Sequence, residues 1–169
     1  MWRDKELKEV YIIHKNKNNP YKKIKSYDQK TGHLIFEKEE FGGQYCKIGT
    51  TKEYDRETGK LIKETNHEAL YPFSLPDLIQ KFKKEYNTDI ENPETILNSA
   101  CYRYTKEACY KNQPVYAVSV LRDTSYEAYY IDGKTGETLF YLSQSLDPDK
   151  EVEPGEAFCK AMKDKGLDK

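Results

Sequence analysis

Cysteine, histidine and carboxylate side chains are the groups through which this chain could hold a metal or form a covalent intermediate, and their spacing argues against both. The four cysteines stand at 46, 101, 109 and 159, and the three histidines at 14, 33 and 67. Metal sites take ligands in close pairs, and no C-x-x-C occurs. Cys101 and Cys109 would lie roughly two turns apart on a helix, so buried, inert thiols are the expectation. The histidines have no partner four residues away, and His67-Glu68 stands without the rest of a zincin helix. Asp147-Pro148-Asp149 lacks the remaining ligands of a calcium loop. No cysteine sits in a nucleophile elbow or signature. Gly133-Lys134-Thr135 matches the end of a phosphate-binding loop, but that loop needs an earlier glycine where this chain has Ala128. With 29 acidic residues, carboxylate pairs are unavoidable and discriminate nothing. The expectation is a chain with no catalytic residue, no metal and no cofactor.

Tyrosine is the unusual residue type, at 15 against 6 Phe and 1 Trp. A tyrosine suits a half-buried β surface with its hydroxyl in water, and it also dominates recognition surfaces because it brings large area at low entropy cost. Tyr45, between Gly42-Gly43 and Gly49, and Tyr129, in a strand-like run, are the expected exposed anchors for a partner. Tyr27 and Tyr54 occupy equivalent places beside two turns and are expected to pack as cross-strand pairs with Leu34 and Leu61.

Lys+Arg is 28 and Asp+Glu is 29, a net charge of -1 that disfavours nucleic acid as a partner. The basic runs at Lys22–Lys25 and Lys81–Lys84 have acids nearby and read as solvated faces. No stretch approaches the roughly 18 apolar residues of a membrane span. Met1–Glu6 has no apolar leader pattern, and the cysteines have no disulfide-scaffold spacing. Four reduced thiols in a cytoplasmic protein are therefore expected.

The elements that would carry these residues are announced by a repeat. Tyr27–Ile35 matches Tyr54–Ile62, and Asp132–Gly136 repeats its centre; all three read D-x-x-T-G. Asp28, Asp55 and Asp132 can accept bonds from amides two or three residues on, and Gly32, Gly59 and Gly136 can adopt positive φ where the chain re-enters a strand. Between the second and third copies the period becomes helical. Ser74-Leu75-Pro76-Asp77 is a capping box ahead of an apolar stripe at Leu75, Leu78, Ile79, Phe82 and Tyr86. Pro93 opens a second candidate helix over 93–110, with a strand at Ala100–Tyr104 as its competitor. Val115–Leu121 is the strongest strand pattern, and Pro154 begins a short helix carrying Phe158, Ala161 and Met162. The predicted fold is α+β, with antiparallel hairpins and two or three helices. Residues 1–68 form a hairpin-repeat region and 69–169 an α+β region, within what could be one continuous domain.

Two resemblances follow from these residues. Tyr27–Glu37 and Tyr54–Glu64 resemble MORN-variant repeats of antitoxin-like proteins, over residues 21–64. Two units are present, and the Gly-Lys usual between units is replaced by Gly43-Gln44 and Ile48-Gly49. Tyr116–Val120 with Tyr126–Leu139 resembles the strands of PepSY-type domains, over residues 75–143. Neither resemblance implies catalytic residues. Together they imply a non-enzymatic binding protein: an antitoxin or immunity-type inhibitor of a cognate protein toxin, or else a scaffold module of a cell-envelope protein.

Overall fold

A computed structural model of the chain describes residues 9–15, 18–42, 46–92, 99–104, 109–146 and 152–168. Among them lie two antiparallel sheets. Sheet A is a meander of β1 (Glu9–Lys15), β2 (Tyr21–Asp28), β3 (Leu34–Phe41), β4 (Lys47–Tyr54) and β5 (Leu61–Asn66). Helix α1 (Leu75–Glu85) follows. Sheet B is then formed by β6 (Ser99–Tyr104), β7 (Val115–Leu121), β8 (Ser125–Asp132) and β9 (Thr138–Ser145), and helix α2 (Pro154–Asp164) comes after it. The fold is α+β.

Three hairpin turns share one geometry. At Asp28, Asp55 and Asp132 the Oδ1 atom accepts from the backbone N–H groups two and three residues on, at 2.7–3.2 Å. Gly32, Gly59 and Gly136 adopt φ of 73°, 69° and 75° and donate back to the aspartate carbonyl at 2.8–2.9 Å. A β-bulge precedes each turn, with pairings Tyr27–Leu34, Tyr54–Leu61 and Ile131–Thr138. Such bulges increase strand twist and fix the register on the far side of the turn.

Helix α1 begins at the Ser74 capping box, in which Ser74 accepts from the Asp77 N–H and Asp77 accepts from the Ser74 N–H. Its buried side, Leu75, Leu78, Ile79 and Phe82, packs with Tyr116, Val118, Val120, Tyr129 and Ile131 on one face of sheet B. Phe41 and Cys46 from sheet A join the same core. The opposite face of sheet B presents Val115, Ala117, Ala128 and Tyr130 to Phe158 and Met162 of α2.

Sheet A is held differently. Lys25, Glu37, Lys52 and Glu64 stand opposite one another on four neighbouring strands. Ion pairs Lys23–Glu39 and Lys63–Glu53 add to the alternation at 3.2 and 3.3 Å. Opposite charges facing each other across strands favour the register, although each exposed pair contributes little.

Three expectations are corrected. The helix expected across 93–110 is a strand where the structure describes it: 99–104 is β6, the competing possibility, and the segments on either side lie outside the described residues. Its pairing partner β7 outweighs a helical stripe that tyrosine and cysteine satisfy only weakly. The four thiols are not all reduced, since Cys109 and Cys159 form a disulfide with Cα atoms 5.0 Å apart. They are separated by 50 residues, so the contact comes from packing α2 against sheet B and has no short-range spacing to announce it. Tyr129 is not an exposed anchor. It is 4% exposed, because period 2 on β8 turns it toward α1 along with Ile131.

Candidate functional site

The second face of sheet B carries a groove beside the start of α2. Alternation along the strands decides its lining. Tyr102 and Tyr104 on β6, and Tyr126 and Tyr130 on β8, point to this face and form its aromatic walls. Between them Ala117, Ser119 and Ala128 make a shallow floor. Glu153, the N-cap of α2, stands at one end with Pro154. Small residues flanked by large rings are what make a depression on a sheet that would otherwise be flat.

The groove encloses about 240 Å³. Sites for drug-sized ligands and cofactors run to about 300–1,000 Å³, so this one suits one or two side chains rather than a nucleotide. The Tyr102 and Tyr104 rings stack with centroids 6.0 Å apart, and Tyr130 stacks on Phe158 at 4.2 Å. These contacts fix the walls before anything binds. Burial, followed by the Glu153 carboxylate and the neighbouring Tyr104 and Tyr126, pushes the Tyr130 phenol well above its ordinary value, so it stays a proton donor. Glu153 Oε2 accepts from the Glu156 N–H at 2.6 Å, which orients the carboxylate. Glu153 is the only charged residue among the described lining, so the groove favours a cation over an anion.

Two other places were candidates. A depression on sheet A, about 680 Å³ and wide open, is lined by His14, Lys15, Tyr21, Lys22, Lys23 and Glu39. Its lysines are partly engaged: Lys22 donates to the Gly42 carbonyl, and Lys23 pairs with Glu39. The Tyr21 phenol there is pushed up to about 12, chiefly by burial and then by Glu91. The second place is the junction of the two sheets. Arg103 donates to both carboxylate oxygens of Glu68 at 2.8 and 2.9 Å, to the Lys47 carbonyl at 2.9 Å and to the Tyr116 hydroxyl at 3.0 Å. Its guanidinium lies over the Tyr71 and Tyr116 rings at 4.5 and 5.2 Å. The Arg103 side chain is 4% exposed and its Nη1 and Nη2 donors are taken by Glu68, Lys47 and Tyr116, so the junction ties β4 to β6 as a structural contact.

Of the two tyrosines expected to bind a partner, Tyr45 lies outside the described residues and Tyr129 is in the core, where its hydroxyl donates to Glu127 at 2.9 Å. The tyrosines that do line a concave surface are Tyr102, Tyr104, Tyr126 and Tyr130. Their signal is tyrosine recurring on one strand face at i, i+2 in β6 and at i, i+4 in β8. Among the described residues no cluster of three or more His, Cys, Asp or Glu could hold a metal. No helix among them is long and apolar enough to cross a membrane. Comparison of the chain with family models, with curated proteins and with solved structures gives no match.

Proposed function

We propose that the chain is a non-enzymatic binding protein that receives a basic side chain of a partner protein in the sheet B groove, as an antitoxin or immunity-type inhibitor engages its cognate toxin. The observation that carries this reading is the groove itself: four tyrosines around a small-residue floor with one oriented carboxylate. Lysine and arginine side chains pair with aromatic faces and a carboxylate together, and rigid aromatic walls keep the entropy cost of binding low. The likeness of Tyr27–Glu37 and Tyr54–Glu64 to MORN-variant repeats of antitoxin-like proteins supports the inhibitor form of the reading.

The test is a calorimetric titration against the product of a neighbouring gene. Ser119→Trp fills the groove and Tyr102→Ala removes a wall; each should weaken binding at least tenfold, about 1.4 kcal/mol, while the circular dichroism stays native. Wild-type affinity in both variants would remove the groove from the binding surface.

The Cys109–Cys159 bond favours a second reading, a PepSY-type or MORN-like scaffold module of a cell-envelope protein. Structural disulfides persist in oxidising compartments, and this one takes away the ground for a cytoplasmic placement. A secretory leader in the full gene, with the protein recovered in the envelope fraction, would support that reading.

A further inference from the structure

The two cysteines outside the disulfide are also neighbours. Cys46 stands just before β4 in sheet A, and Cys101 lies within β6 of sheet B. They are 55 residues apart in sequence, yet their Sγ atoms approach to 3.3 Å. Both belong to the core that joins the sheets, at 0% and 3% exposure. All four cysteines of the chain therefore fall into two spatial pairs.

Three fates are open to a buried pair of thiols. A metal site would need further ligands, and among the described residues none gather here. A nucleophile would need an activating base and access to substrate, whereas the hydrogen bond to Cys46, followed by burial, pushes the Cys101 thiol well above its ordinary value. The third fate needs the sulfurs to close from 3.3 Å to the bonded distance of about 2.05 Å, with the side chains turning to the usual disulfide dihedral of about 90°.

We propose that Cys46 and Cys101 close as a second intrachain disulfide, formed while the chain folds in contact with a disulfide donor of the glutathione or thiol–disulfide oxidoreductase class. In the first step one cysteine, as its thiolate, attacks the donor disulfide; a protein–donor mixed disulfide forms and one donor thiolate leaves. In the second step the other cysteine thiolate attacks the protein sulfur of that mixed disulfide and the second donor thiolate leaves. The two cysteines lose two protons and two electrons, and one donor disulfide becomes two thiols. The exchange precedes completion of the core, because a buried sulfur leaves an incoming donor no in-line approach. The product bond ties sheet A to sheet B at the point where Arg103 and Glu68 already hold them by polar contacts.

The experiment is refolding of the full chain from denaturant in a glutathione redox buffer, followed by alkylation with N-ethylmaleimide under denaturing conditions, intact mass and peptide mapping. The expected product carries no alkyl group, is about 4 Da lighter than the reduced chain, and yields a peptide pair joined through Cys46 and Cys101. The Cys109→Ser/Cys159→Ser variant should retain that one pair. Mapping the chain after export to an oxidising periplasm reads the same pairing without refolding. Alkylation of both Cys46 and Cys101 beside an intact Cys109–Cys159 bond overturns the proposal, as does any exchange of partners between the two pairs.

Discussion

Across the middle of sheet A, four strands present Lys25, Glu37, Lys52 and Glu64 in a row. Across the middle of sheet B the neighbouring places hold Cys101, Val118 and Tyr129, all buried under α1. The two sheets share one hairpin turn, down to the aspartate that caps it and the glycine that closes it. They differ in what lies over them: sheet B has a helix on each face, while sheet A meets the core chiefly through Phe41, Cys46, Tyr21 and Ile48 near one end. The shared turn therefore sets strand connection and register, and apolar burial sets how firmly each sheet is held.

The largest effect should come from cutting into the helix-covered side. Phe82→Ala empties a fully buried position between Tyr86 and Tyr129 and should cost about 3–5 kcal/mol, read as a shift in the denaturant midpoint. Ile62→Ala, at an exposed place on β5, should move the same midpoint by about 0.5 kcal/mol or less. Similar shifts for the two variants would abolish the contrast between the sheets.

The turns offer a sharper comparison, because the motif is constant and only the surroundings change. A Cβ on Gly136 would stand 2.4–2.7 Å from the Phe73 ring, whereas a Cβ on Gly32 would meet nothing within 4 Å. Gly32→Ala should lose only the backbone preference, about 1 kcal/mol. Gly136→Ala should add overpacking against Phe73 for a total of about 2–4 kcal/mol. A Gly136→Ala/Phe73→Ala pair should recover part of the difference in a thermal melt; no coupling between the two would detach the turn from the core.

At the junction, Glu68→Gln removes the charge facing Arg103. Glu68 is half-exposed, so the expected loss is about 1–2 kcal/mol rather than the full cost of an orphaned buried ion. Chemical denaturation of this variant at neutral pH gives the number, and an unchanged midpoint would mean that the sheets are joined by apolar contact alone.

The smallest effect is graded and depends on pH. Thr31 donors hold Asp28, and Thr58 donors hold Asp55, below the usual carboxylate range. Burial raises Glu68, but Arg103 and the Gly49 N–H outweigh it and leave the group low. For a group depressed in the folded state, the stabilisation is present above the unfolded pKa and is lost as pH falls through the folded value. His67 is depressed chiefly by burial, so the unfolded chain takes up its proton first and the decline starts near pH 6.5. The carboxylates extend it below about pH 4. All four groups belong to sheet A or its junction. Amide protection factors, taken relative to the intrinsic exchange rate at each pH, should therefore fall with acid in sheet A before they fall in β7 and β8, and a uniform fall would contradict this.

What was legible in the sequence was local. The Ser74 capping box and its stripe mark α1, and Pro154 with Phe158, Ala161 and Met162 marks α2. The strand pattern at Val115–Leu121 is a run that only a sheet buried on both faces would use. Val10-Tyr11-Ile12-Ile13, four β-favouring residues in a row, forms the edge strand β1, 42–56% exposed at these positions. What stayed hidden depended on distant partners. β6 is a strand because β7 lies beside it, the groove exists because α2 begins near Glu153, and Cys109 reaches Cys159 only after α2 has docked. Tyr129 and Tyr130 are adjacent in sequence yet serve opposite faces, so choosing the exposed face required knowing which helix covers which side.

The Cys109–Cys159 bond has a consequence for the topology of the chain. It closes a covalent ring that contains β7, β8 and β9, including the exposed corner at Asp123-Thr124. A protease that cuts once at that corner severs the backbone without releasing a fragment. The nicked chain keeps its full mass on a gel until reductant is added, when it separates into two pieces. The strands on either side of the cut remain tethered, so they can re-pair as an intramolecular event.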